Sequence, residues 1–293
     1  MRVYTRKEHI MSKKRFQNQV VVVTGASSGI GRAAALAFAR EGATTVLLSR
    51  SREKLEKVAE EIGAFSEGVF VAPADVSSKQ EVDAAIANVL AKFGRIDVLF
   101  NNAGKSEVGP TDAPWFIEGV QEMFDVDFLG TVRVTQAVLP AMRRQRAGRI
   151  LNMSSVVGRK AFARFGGYSS IMHAIVGYTD ALRQELKGTG IEVSIIHPAL
   201  TQTPLLASVR PEDMPPPFRR LSPIPAGQVA EAALKGLSKN RPRIVVPWQP
   251  KLLMLAQAIS PRLGDLVVTL LQTRMFSWVF RTFRGRTYQH SSS

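Results

Sequence analysis

Between Val20 and about Ser194, short apolar runs alternate with stretches in which apolar residues recur every three or four positions. Runs at 20–24, 45–49, 68–73, 98–101, 149–153 and 192–197 read as strands, and a seventh at 243–247 reads as an edge strand. The stretches 31–41, 52–62, 79–93 and 168–187 carry helical spacing. Strand and helix in strict alternation predict an α/β fold: a doubly wound parallel sheet of about seven strands with helices on both faces.

The pattern changes at both ends. Residues 1–19 form a basic extension with Arg2, Arg6, Lys7, Lys13, Lys14 and Arg15, and Met11 opens a second possible start of translation. The segment 203–225 holds a Pro-Pro-Pro run and several charges, which predicts a mobile loop or short helices over a substrate. Residues 250–293 form an apolar and basic extension, from Leu252, Leu253 and Leu255 to Trp278, Val279 and Phe280. Two accounts of that tail stay open: a helix pair packed on the core or on a partner subunit, or an amphipathic anchor at a membrane surface. The division expected is thus 1–19, 20–249 and 250–293.

After the first run comes Thr24-Gly25-Ala26-Ser27-Ser28-Gly29-Ile30-Gly31, which leads into a helix. Glycines at 25, 29 and 31 permit a tight turn, close approach of a pyrophosphate and helix-to-strand packing, and free N–H groups at the helix start face the anion. With this motif the sheet reads as Rossmann-like. Further along stand Asp75-Val76, Asn101-Asn102-Ala103-Gly104, Ser154-Ser155, Tyr168 and Pro198-Ala199-Leu200-Thr201-Gln202-Thr203, in that order.

On these motifs the sequence resembles the short-chain dehydrogenase/reductase family over about residues 20 to 247. The resemblance implies that Gly25, Ser27, Ser28, Gly29, Ile30 and Gly31 cradle a dinucleotide. It also implies that Asp75 and Val76 meet the adenine, that Asn102, Ala103 and Gly104 line the cleft, and that Pro198 and Thr203 approach the nicotinamide. Members preferring NAD usually carry an acid after the second strand. Here Ser49 is followed by Arg50, which favours NADP over NAD, with Arg52 and Arg32 as helpers. Ser155 stands thirteen residues before Tyr168, the family's spacing for the pair that holds a carbonyl and passes it a proton as hydride arrives.

Two positions depart from the family pattern. Met172 occupies the place of a lysine four residues beyond the tyrosine, on the same helix face about 6 Å away. Methionine carries no charge and donates no hydrogen bond. Asp127, in Phe124-Asp125-Val126-Asp127-Phe128-Leu129-Gly130, replaces an asparagine; ionised near Tyr168 it would raise the tyrosine pKa, the direction in which loss of the lysine also acts. Ala199 replaces a glycine. The catalytic set is therefore Ser155, Tyr168, Asp127 and Met172. Three readings stay open: a reductase with another cation, Lys105 before His173; a nucleotide-binding or regulatory protein without turnover; or variants introduced into one copy.

Composition narrows partners more than fold. A net charge of +15, from 39 Lys and Arg against 24 Asp and Glu, would attract nucleic acid, anionic lipid or phosphorylated ligands. No nucleic-acid motif accompanies it, so no specific nucleic acid is expected. The absence of cysteine excludes disulfides and thiolate chemistry. His9, His197 and His290 lack the spacing of a metal site, so none is expected. No signal peptide precedes Phe16 and no long apolar window spans a membrane, which predicts a cytoplasmic protein with membrane association only through the tail. A small-molecule carbonyl or alcohol substrate, hydrophobic if the tail shapes the pocket, and a homo-oligomer complete the expectation.

Overall fold

Seven strands pair in parallel in the order β3-β2-β1-β4-β5-β6-β9 in a computed structural model of the chain. It describes residues 14–272, apart from 211, 216, 217, 219 and 220. The N-terminal stretch with Met11 and His9, part of the Pro-Pro-Pro run, Arg220, and the tail with Arg274, Trp278 and His290 lie outside the described residues.

The strands are β1 (Val20–Thr24), β2 (Thr44–Ser49), β3 (Val69–Pro73), β4 (Val98–Asn101), β5 (Gly148–Met153), β6 (Ile191–Pro198) and β9 (Arg243–Val246). The edge strand ends one residue before the predicted boundary, at Pro247, which has no N–H to continue the ladder. Both faces of the sheet are covered. Val21 and Val23 of β1 pack with α1 (Gly29–Arg40), α2 (Arg52–Gly63) and α8 (Ala226–Ser238), whereas Val20 and Val22 pack with α3 (Lys79–Phe93) and α5 (Gly130–Gln145). Burial on both sides explains why β1 reads Val-Val-Val-Val-Thr rather than as an alternating strand.

The chain runs outward from β1 to β2 and β3, then returns to place β4 on the other side of β1. Such a reversal opens a crevice at the carboxyl ends of β1 and β4. Facing it, α4 (Phe116–Met123) continues through a π-helical segment, Phe124–Leu129, into α5. A 3₁₀ turn, Val156–Gly158, follows β5, and α6 (Gly166–Glu185) carries Tyr168 and Met172.

The 203–225 segment includes the short helix α7 (Pro204–Ala207) and ends at the two-residue pairing of β7 (Thr201–Gln202) with β8 (Ile224–Pro225). The buried Asp213 carboxylate ties it down by accepting from Arg164 at 3.0 Å and Arg210 at 2.7 Å. The C-terminal extension forms α9 (Pro250–Ile259) and α10 (Pro261–Gln272), the helix-pair alternative of the sequence. Leu253, Val267 and Val268 seat it on the apolar cluster around Met172 and Phe218. Lys160, buried just ahead of α6, pairs with Asp265 of α10.

Candidate active site

The crevice opens into one continuous cleft of about 2160 Å³, running from Arg50 and Asp75 past Gly25 and Tyr168 to Phe218 and Leu253. Its floor is the meeting of two loops. Thr24 Oγ1 accepts N–H bonds from Asn102 at 2.8 Å and Ala103 at 2.9 Å, and the Asn102 amide donates to the Thr24 carbonyl at 3.0 Å. These contacts leave no room for side chains at two of the glycines. A Cβ on Gly31 would lie 2.2 Å from the Gly25 carbonyl oxygen, and Gly25 itself sits at φ +65°.

Ser28 precedes α1 in extended conformation, its side chain making no cap, and the first intrahelical bond is Arg32 N–H to the Ser28 carbonyl. The N–H groups of Gly29, Ile30 and Gly31 are therefore the open end of a helix dipole. Ser27 borders the same end of the cleft. Thr203 approaches from the opposite wall, 3.1 Å from where a Gly29 Cβ would be, and caps α7 through its hydroxyl.

At the outer end, Ser49, Arg50, Ser51 and Lys54 line the cleft. Ser49 Oγ is buried with no hydrogen-bond partner among the described residues, and the Arg50 guanidinium is largely exposed, 3.8 Å from Asp75. Burial pushes the Asp75 carboxyl up, but donors from Ser77, with Arg50 and Lys105 nearby, bring it below its ordinary value. Lys54 escaped the sequence reading; its place on the first turn of α2, after the Ser51 cap, was the available signal. Arg32, expected as a helper, is instead bound by Glu61, because α1 and α2 lie side by side. Arg52 pairs with Glu56 along its own helix.

Ser155 and Tyr168 both line the inner end of the cleft, with the serine side chain close enough to act on the tyrosine hydroxyl. Ser155 Oγ also caps the 3₁₀ turn by accepting from Val157 N–H at 3.4 Å, and lies 3.5 Å from the Pro198 carbonyl. Burial, then the neighbouring Asp127 carboxyl, pushes the Tyr168 hydroxyl far above its ordinary value; the Ser155 side chain opposes this only in part. Met172 is buried beside it in the apolar cluster, and its carbonyl accepts from Ser154 Oγ at 3.1 Å.

Asp127 lies within the π-helical segment, 2% exposed, with one carboxylate oxygen accepting the Lys105 backbone N–H at 2.7 Å. Burial pushes this carboxyl well above the ordinary carboxylate range, against the opposing pull of the Lys105 backbone N–H and ammonium. Its carbonyl begins a hydrogen-bonded chain through Thr131, Thr135, Asn101 and Asn152 to Thr179 on α6. The Lys105 ammonium does not replace the missing cation: it pairs with Glu122 at 2.6 Å. Adjacency to a strand end placed its backbone correctly but could not fix the direction of a long side chain. His173 Nδ1 bonds the Ser169 carbonyl, and its ring is exposed. Ala199 is not among the residues with positive φ, so alanine fits where the family has glycine. Among the described residues no cluster of His, Asp and Glu could hold a metal.

His197, at the end of β6, is fully buried with Nδ1 3.0 Å from the Ser155 carbonyl, and Nε2 has no partner among the described residues. Burial, helped by Arg159 and Arg243, pushes its pKa down to about 4 from 6.5. The unfolded chain then binds the proton more readily than the folded one. Stability contributed by neutral His197 is complete above about pH 6.5 and is lost as pH falls toward 4, by about 3 kcal/mol. Thermal melts between those limits should show that loss, and His197→Gln should flatten it.

The apolar end of the cleft is walled by Phe162, Phe165, Phe218, Leu253 and Val267. The Phe218 ring meets Phe162 edge-on at 4.7 Å and Phe165 at 5.2 Å. None of these aromatic positions stood out in sequence, because the walls come from three separate segments.

Comparison with known proteins agrees with this geometry. The family model described as short chain dehydrogenase matches residues 19–214. An uncharacterized oxidoreductase of Staphylococcus aureus is 35% identical over 76% of this chain and 93% of its own length. The ketoacyl reductase HetN of Nostoc is 32% identical over 84% of this chain and 87% of its own. Among solved structures, the 3-ketoacyl-(acyl-carrier-protein) reductase of Brucella melitensis complexed with NADH superposes with a TM-score of 0.70 at 27% identity, covering 79% of this chain and 97% of that one. Levodione reductase gives 0.71 at 28% identity, over 79% and 96%. The chain belongs to the short-chain dehydrogenase family of oxidoreductases.

Proposed function

We propose that the protein is an NADPH-dependent carbonyl reductase for an apolar ketone, biased toward reduction because Tyr168 stays protonated. The observation that carries this reading is the Ser155–Tyr168 pair at the junction of an anion-binding loop and an apolar wall. When bound, the nicotinamide dinucleotide supplies the hydride.

The residues fit that group. The open N–H groups of Gly29, Ile30 and Gly31 suit the pyrophosphate, the orphaned Ser49 hydroxyl suits the adenosine ribose, and Asp75 and Val76 line the cleft where they would flank the adenine. Asn102, Ala103, Gly104, Pro198 and Thr203 line the inner part of the cleft and would border the nicotinamide half of the dinucleotide. Arg50 and Lys54 present two cations, with no carboxylate at positions 49–51, where a 2′-phosphate would sit.

Ser155 orients the carbonyl oxygen and Tyr168 donates a proton to it. Reduction needs the phenol in its acid form, which burial preserves at neutral pH; oxidation needs a base there, which the missing cation withholds. The apolar walls exclude water and select a hydrophobic substrate. The ketoacyl reductases among the relatives support a ketone carried on an acyl chain. A homo-oligomer accords with the exposed Ile117, Trp115 and Phe124 around α4.

A second reading, a nucleotide-binding protein without turnover, is favoured by the same raised Tyr168 and by Met172. Titration with NADPH and NADH, followed by a panel of apolar ketones, separates the two: binding with NADPH consumption supports the reductase, and binding alone supports the second reading. Arg50→Ala should weaken NADPH about 10- to 100-fold, the cost of a charge-assisted hydrogen bond, and leave NADH nearly unchanged. An unchanged preference would refute the assignment of NADP.

A further inference from the structure

We propose that the outer face of the α9–α10 hairpin docks on the surface of an anionic lipid bilayer. The inference does not depend on the reductase reading and rests on the opposite face of the hairpin from the one that walls the cleft.

The hairpin has two apolar faces. Its inner face, through Leu253, Val267 and Val268, is packed against the protein. The outer face is not covered by the described residues: Leu255 is 59% exposed, Ile259 70%, Leu263 38% and Leu266 53%, and Leu252, where the face meets the cleft, 62%. Leu252, Leu255 and Ile259 recur at three- and four-residue spacing along α9, and Leu263 and Leu266 do so on α10, so each helix contributes one stripe. The buried stripe seats the hairpin, and the exposed stripe opposite it is not required for that.

Charge selects the occupant. From Trp248 to Ser293 the chain has six basic residues, Lys251, Arg262, Arg274, Arg281, Arg284 and Arg286, against one acid, Asp265. The acid is engaged with Lys160. Lys251 and Arg262 border the exposed stripes and are themselves exposed. The sequence that follows α10 interleaves arginine with Phe276, Trp278 and Phe280, the residue types favoured at a lipid headgroup boundary. An isologous contact with a second copy would set this cationic face against itself, with no acid to answer it. A bilayer of anionic lipid offers an apolar boundary and negative charge together.

The geometry is that of a surface contact. The two helices have 10 and 12 residues, and no helix among the described residues is long and apolar enough to cross a membrane. The inner face of the same hairpin walls the substrate end of the cleft through Leu253 and Val267, so docking by the outer face would hold that end of the cleft close to the lipid.

The test is co-sedimentation of the full-length protein with vesicles of phosphatidylcholine containing phosphatidylglycerol, and with vesicles of phosphatidylcholine alone. Binding to the first should exceed binding to the second and fall as salt is raised. Leu255→Ser with Ile259→Ser should weaken it about tenfold or more, with melting temperature kept because both side chains are already exposed. Lys251→Gln with Arg262→Gln reads the charge contribution without removing any large apolar group, and should weaken binding to the anionic vesicles only. No binding to anionic vesicles, or parent-like binding by the Leu255/Ile259 variant, overturns the proposal. So does a dimer that dissociates in that variant while the parent ignores vesicles, which would show that a second copy covers the face.

Discussion

Tyr168→Phe is expected to lower the rate of ketone reduction about 10²- to 10⁴-fold, the usual scale for removing a positioned general acid. The variant loses only a hydroxyl. Its ring remains in the cluster with Phe165, 6.2 Å away between centroids, so the fold should be unaffected. NADPH affinity should change little, because the anion-binding loop and Arg50 lie elsewhere in the cleft. A loss of kcat at constant NADPH affinity, measured by single-turnover oxidation of NADPH, would assign the proton to Tyr168. Retained turnover would move the acid to another group.

The second large effect concerns the missing cation. Met172→Lys would place an ammonium one helical turn from Tyr168 and favour the phenolate, raising alcohol oxidation at neutral pH by about 10-fold or more. Asp127 complicates that single change. A lysine beside it would draw the carboxyl into ionisation, and the new pair would spend part of the field meant for the tyrosine. Met172→Lys with Asp127→Asn removes the competitor, so oxidation should rise in the order parent, single variant, double variant. Because Met172 is 3% exposed among apolar neighbours, the lysine variants are to be compared only after melting temperature and NADPH binding show a folded protein.

Much of this arrangement was legible in the chain. The β1 run at 20–24 and the helix at 79–93 coincide with the elements observed, since uniform apolar runs and amphipathic spacing are local signals. The glycine motif and Asn101-Asn102-Ala103-Gly104 pointed to a shared cleft because both end strands, and the hydrogen bonds from Asn102 and Ala103 to Thr24 realise it. The helix Ala226–Ser238 went unread although its buried Val229, Ala230, Ala233, Leu234 and Leu237 recur at helical spacing, and it packs closely on α1. The π-helical turn around Asp127 left no mark in periodicity.

Pairings between distant residues were beyond sequence reasoning. Lys105 finds Glu122 seventeen positions on, Arg32 finds Glu61, and Lys160 finds Asp265 across 105 positions. Each partner becomes a neighbour only once the sheet and its helices are assembled. The chemistry of Asp127 shows the same limit. Residue type alone gave a carboxyl that would raise the tyrosine pKa if ionised, and only the assembled fold shows that burial works against its ionised form.

The central claim is that Tyr168 works as a protonated acid in an NADPH-dependent reductase, and one experiment addresses it directly. Rates of NADPH-driven ketone reduction and of NADP-driven oxidation of the matching alcohol would be followed as a function of pH for the parent protein. The account predicts reduction that is nearly constant from slightly acidic to alkaline pH, and oxidation that is slow at neutral pH and climbs throughout with no plateau. Oxidation that levels off near neutral pH would show an ionised tyrosine without a lysine beside it, and would contradict the account.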